Sequence, residues 1–213
     1  MKIIRSLVCI TTIIFAFYSH ADKFSTIPKS YSKKSKGQVE KAEKYLNSLK
    51  NLSANFIQTD DYGNIQKGKL YLSRPGKMRW EYKDPKEILI LLNNKDMIHH
   101  DKKLDQISYF CSRNDFVNLL VKDNINFNKE KIYVKKMHYD DKKLKINLAK
   151  KGEDSSMTLT FSQDPFIIHK LEVVDESLNQ VDITFLDIEQ PNELNQDLFE
   201  FTDHKYMRKR SNY

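Results

Sequence analysis

The sequence predicts a mainly β (α+β) protein whose antiparallel sheet curls round a core, and three observations carry that prediction. Turn residues recur at short, regular intervals: Asp61 to Asn64, Pro75-Gly76, Asp84-Pro85, Asn93-Asn94 and Asp101 to Lys103. Such spacing marks a meander closing into a barrel or sandwich. Between the turns side chains alternate with period two, so Leu70, Leu72 and Arg74 share one face of a strand; Met78, Trp80 and Tyr82 share one face of the next, against Lys77, Arg79 and Glu81. The strand at residues 87–92 is apolar on both faces, so both its sides must be covered.

Taken in order, residues 1–21 read as a cleaved signal peptide: Lys2 and Arg5 come first, an apolar run follows from Leu7 to Phe17, and Ser19 and Ala21 stand where a signal peptidase reads small residues. The apolar run is shorter than the roughly 20 residues of a bilayer span. Residues 22–36 are rich in lysine and serine with little to bury, which predicts a flexible segment. Val39, Ala42, Leu46 and Leu49 recur at helical spacing and predict an amphipathic helix over 37–50 lying on the sheet. The first meander follows, with Arg74-Pro75-Gly76-Lys77 expected as a type II turn because proline presets φ at its second position and glycine tolerates positive φ at its third. At residues 112–115 a serine and an aspartate three residues on predict a helix start, with Phe116, Leu119 and Leu120 on its apolar face. A second meander spans 132–139, 144–149, 157–161, 167–174 and 181–188, with Gly152, Pro165 and Asn179 at its turns. A loop at 191–197, a short strand at 199–201 and a basic tail at 205–213 complete the chain, so the main domain covers 37–204.

The 213-residue chain carries 36 Lys and Arg against 29 Asp and Glu, a formal +7, which falls to +5 once Lys2 and Arg5 leave with the signal peptide. Those charges are scattered rather than interleaved with aromatics on one element, which argues against nucleic acid as a partner. Cys9 goes with the signal peptide, and Val8 before it is too large for a lipobox; Cys111 alone remains, at an apolar strand end, and is expected as a small buried hydrophobe with no intramolecular disulfide.

No motif for catalysis stands out. His99 and His100 are adjacent on a strand and so point to opposite faces, a poor start for one metal ion. Asp60-Asp61 and Asp140-Asp141 lie in turns, where aspartate hydrogen-bonds the backbone. Five glycines leave little material for a phosphate loop. The chain is expected not to be an enzyme and to need neither metal nor cofactor. Trp80 and its aromatic neighbours fit either a filled core or a cavity lining. Arg74 also has two readings: it snorkels to water beside its turn, or it enters an apolar space where its guanidinium must find acceptors.

Phe56 and Gln58 in SANFIQTD, Gly68, Leu70, the run from Arg74-Pro75 to Trp80 ahead of Pro85, KLDQ at 103–106, FVNLLVKDN from Phe116 and LFEF ending at Phe201 resemble the periplasmic lipoprotein carrier proteins (LolA). That resemblance implies an incompletely closed antiparallel β-barrel with a few helices covering an apolar cavity. It further implies a monomeric periplasmic chaperone that takes acylated lipoproteins from an inner-membrane ABC-type transporter to an outer-membrane receptor or the outer membrane itself. A related lipid- or glycolipid-binding envelope module that does not ferry lipoproteins is the alternative. The candidate ligand-binding residues are then Leu70, Leu72, Arg74, Met78, Trp80, Tyr82, Ile90, Phe116, Leu119 and Leu120. In the resembled carriers an arginine at the position of Arg74 hydrogen-bonds lid helices in the closed state, which makes residues 116–124 and their neighbours the lid here.

Overall fold

The computed structural model describes residues 25–26, 33–112, 115–128 and 131–201; the expected signal peptide and basic tail lie outside these. In chain order the elements are β1 (Ser25–Thr26), α1 (Lys33–Ser48), β2 (Asn51–Asp60), β3 (Ile65–Ser73), β4 (Lys77–Asp84), β5 (Ile88–Asn93), β6 (Asp96–Asp101) and β7 (Gln106–Cys111). Then come α2 (Asp115–Leu120), β8 (Ile132–Tyr139), β9 (Lys143–Lys150), β10 (Ser156–Ser162), β11 (Ile168–Val174), β12 (Gln180–Glu189) and a 3-10 turn at Gln196–Phe199.

The strands form one antiparallel sheet in the order β1-β8-β9-β10-β11-β12-β2-β3-β4-β5-β6-β7. Both meanders are as the turn spacing predicts, and β12 joins them by pairing with β2, with Phe185 opposite Phe56. The end strands β1 and β7 do not pair with each other, so the sheet is an incompletely closed barrel. Its concave side holds the main core, in which Leu144, Ile146 and Leu148 of β9 and Leu159 and Phe161 of β10 are fully buried by the alternation of their strands. The helical stripe Val39, Ala42, Leu46 and Leu49 is buried against that side.

Several expectations need correction. The helix begins at Lys33, a turn earlier than the apolar spacing signals, and Ser25 and Thr26 pair with Met137 and Lys136. Neither needs apolar side chains, because extending a formed helix or borrowing the edge of β8 satisfies backbone groups directly. The turn after β3 has Gly76 at φ 83° as expected, and the Arg74–Pro75 peptide that leads into it is cis. Phe199 ends a 3-10 turn rather than starting a strand. It packs with Leu194 on Leu91, the outward residue of β5, and so supplies the second cover that a doubly apolar strand requires. Cys111 is exposed, since β7 is an edge strand with nothing packed over that position among the described residues.

Gly68 is a place where the sheet requires glycine. A Cβ there would overlap the carbonyl oxygen of Glu81 and lie 2.6 Å from Phe56 Cζ, so the Phe56 ring can rest flat on the β3 backbone. That ring in turn sits 4.8 Å from Trp80, centroid to centroid, and 5.1 Å from Tyr82.

Candidate functional site

Beneath α1 and the C-terminus of α2 the concave face leaves an apolar cavity of about 40 Å³. Its floor is Leu52 and Ala54 of β2, Leu70 and Leu72 of β3, and Met78 and Trp80 of β4; Ile168, Leu171, Phe185 and Ile188 of β11 and β12 form a wall, and Leu46, Leu49 and Leu120 the roof. Arg74 is the charged residue in this lining.

Arg74 is 9% exposed. Its Nε donates to the main-chain oxygen of Leu120 at 2.7 Å, and its Nη1 donates to the main-chain oxygen of Leu46. Leu46 lies in the last turn of α1, where its oxygen also accepts from Leu49 N at 3.2 Å, and Leu120 ends α2, so both oxygens lie at the negative end of a helix dipole. One guanidinium therefore caps two helices. Burial pulls its pKa down to about 10, with Asp123 opposing, so it stays charged at neutral pH. The Arg74 main-chain N–H donates to Lys50, and Gly76 N–H donates to Val121, which ties the turn to both sides of the roof. Arg74 thus enters the apolar space rather than snorkelling.

The roof continues past α2. The expected helix over 116–124 stops at Leu120, and the following asparagines 124, 126 and 128 suit an irregular path. This path still buries Val121, Ile125 and Phe127. α1 holds it with side chains: Asn47 donates to Ile125 O at 3.0 Å and accepts from Ile125 N at 2.7 Å, Glu43 accepts from Phe127 N at 2.7 Å, and Lys50 pairs with Asp123 at 2.8 Å.

Of the sequence-predicted residues, Leu70, Leu72, Arg74, Met78, Trp80 and Leu120 meet at the cavity. Tyr82 does not: it lies farther along β4, donates to Gln58 Oε1 at 2.8 Å, and has its pKa pushed up to about 12, chiefly by burial. Ile90 stands opposite Trp80 on β5 and packs on the core without lining the cavity. Phe116 and Leu119 are buried in the core; Leu119 faces a separate, open crevice of about 460 Å³ whose walls mix Asn94, Lys95, Asp115 and Lys122 with Pro75, Val121 and Ile132. Sequence reasoning expected the helix over 37–50 to cover the cavity but missed the lining side chains that it, β2, β11 and β12 contribute. The alternation of Leu52, Ala54 and Phe56 was a usable signal, but the approach of β12 to β2 had none. Among the described residues no His, Cys, Asp or Glu group could hold a metal.

A curved, incompletely closed antiparallel sheet whose helices roof an apolar cavity, with a buried arginine in the lining, defines the half-barrel class. The model of the outer membrane lipoprotein carrier protein LolA family matches residues 47–202, and the chain belongs to that family. An uncharacterized protein of Rickettsia prowazekii is 27% identical over 157 residues, 74% of this chain and 73% of that one. The outer-membrane lipoprotein carrier protein of Legionella pneumophila is 33% identical over 78 residues, 35% of this chain and 39% of that protein. In structure, an uncharacterized conserved protein from Thermus thermophilus superposes with a TM-score of 0.51 at 11% identity, covering 81% of this chain and 96% of that one, a likeness of fold. No described helix is long and apolar enough to cross a membrane.

Proposed function

We propose that this protein is a periplasmic chaperone that binds the acyl chains of lipoproteins and carries them from an inner-membrane transporter to the outer membrane. The observation that carries the reading is the Arg74 contact with two helix termini over an otherwise apolar cavity. Pockets that take small molecules measure about 300–1,000 Å³, and the cavity here is about 40 Å³. An acyl chain therefore enters only if α1 or α2 lifts, and lifting either one breaks an Arg74 hydrogen bond. Cargo and arginine pull this equilibrium in opposite directions, which is what a carrier needs. Each buried methylene contributes roughly 0.8 kcal/mol, so acyl chains cross water only under escort, yet a carrier must also release them. Gate closure by Arg74 supplies the release. The proposal includes export by cleavage after Ala21.

Exported protein tests it. Its intact mass should begin at Asp22, and titration with a long-chain fatty acid should change the emission of Trp80, the chain's single tryptophan. Unchanged emission together with no acyl ligand retained in the mass spectrum would favour a filled core, while a retained glycolipid would favour a lipid-binding module that ferries no lipoprotein.

A further inference from the structure

We infer that the rim of the sheet remote from Arg74 is a docking surface for a lipid bilayer. Arg74 follows one end of β3; at the other end, the hairpin turns β11–β12, β2–β3, β4–β5 and β6–β7 stand side by side. Gln180 N donates to Asp61 at 2.5 Å, Lys67 pairs with Asp84, and Lys102 N donates to Glu87 O at 2.9 Å. From three of these turns large apolar side chains project: Leu178 is 67% exposed, Tyr62 85% and Leu104 63%, with Ile65 at the base of the second.

The turns are built to hold these residues out. Asp60 Oδ1 accepts from Tyr62 N at 3.0 Å, Asp101 Oδ1 from Leu104 N at 3.0 Å, and Asp175 Oδ1 from Ser177 N and Asn179 N at 2.8 and 2.9 Å. Leu178 also has φ 65°, a left-handed conformation that asparagine or glycine would occupy at less cost. Exposed apolar surface and backbone strain coincide at one residue, and the fold uses neither.

The spacing decides the partner. Neighbouring hairpins lie two strand widths apart, about 10 Å, and the β4–β5 turn between Tyr62 and Leu104 presents Asp84, Pro85, Lys86 and Glu87, all exposed. A protein partner packs on a contiguous patch, whereas a bilayer interface accepts separate points, favours tyrosine at headgroup depth and lets lysine stems snorkel. Exposed Lys67, Lys83, Lys86 and Lys103 stand among exposed Asp61, Asp84, Glu87, Asp105, Asp175 and Glu176, so acids outnumber lysines. Attraction to anionic lipid is therefore not the driver, and a zwitterionic surface suffices.

The test is co-sedimentation of the protein with phosphatidylethanolamine and phosphatidylcholine vesicles. Parent protein should bind, and binding should persist at about 0.5 M salt, where the Debye length is only a few ångströms. The variant Tyr62→Ser/Leu104→Ser/Leu178→Asn should partition at least about tenfold less, with thermal stability kept or raised because asparagine suits position 178. Leu178→Asn alone should weaken binding in the same direction. Acyl binding next to Trp80 should not change, so this proposal and the carrier reading fail separately. Parent protein staying in the supernatant, equal partitioning of the variants, or loss of binding in salt overturns it. So does self-association without vesicles that the triple variant abolishes, which would make the rim a contact between copies of the chain.

Discussion

Arg74 Nε lies 2.7 Å from the main-chain oxygen of Leu120, the last residue of α2. Because the same guanidinium also reaches Leu46 of α1, one side chain holds two roof elements that no strand pairing fixes. Asn47, Glu43 and Lys50 bind the rest of the roof to α1. Arg74 thus joins roof to sheet together with the main-chain bonds from Arg74 N to Lys50 and from Gly76 N to Val121.

The floor depends on Gly68. Gly68→Ala would drive a methyl group into the Glu81 carbonyl and the Phe56 ring, and overpacking of this kind costs about 1–3 kcal/mol. Thermal unfolding should show a drop of several degrees; an unchanged midpoint would mean that the Phe56 ring moves aside freely.

Glu43 makes a pH-dependent contribution. Burial raises its pKa, the Phe127 N–H partly opposes the rise, and Glu40 adds to it. The folded state then binds this proton more tightly than the unfolded one, so the contribution is fully present below the usual carboxylate value and is lost as pH rises through the raised value. Glu43→Gln keeps the acceptor and removes the charge. Its unfolding midpoint at pH 7 should equal or exceed the parent's, by no more than about 2–4 °C because the site is half exposed and screened. The difference should shrink near pH 4, and a lower midpoint at pH 7 would contradict the assignment.

Much of this arrangement was legible in the chain. The Val39, Ala42, Leu46, Leu49 stripe and the Leu70, Leu72, Met78, Trp80 face follow from period alone, because each side chain's direction is set locally. The pairing that brings Phe185 to Phe56 is a long-range choice among strands of similar pattern, and no residue in β12 announces it. Arg74's acceptors were invisible for another reason: the main-chain oxygens of Leu46 and Leu120 carry no side-chain signature, so only the resemblance pointed to helices there. The Phe199 turn and the exposure of Cys111 depend on what covers a sheet face or leaves an edge bare, which composition does not specify.

If Arg74 closes the cavity against cargo, delivery by Arg74→Leu must slow. Hydrogen bonds from a charged group contribute about 1.5–3 kcal/mol. Leucine forfeits them and adds apolar surface to the cavity, so the open, acyl-bound state gains on both counts. Lipoprotein-loaded protein would be mixed with outer membranes and the transferred fraction followed in time, with Lys143→Leu, an exposed change on β9, as the control for lost charge. Arg74→Leu should stay folded, load normally and deliver about ten- to a hundredfold more slowly, while Lys143→Leu should deliver like the parent; a folded Arg74→Leu that delivers at the parental rate would rule out gating by Arg74.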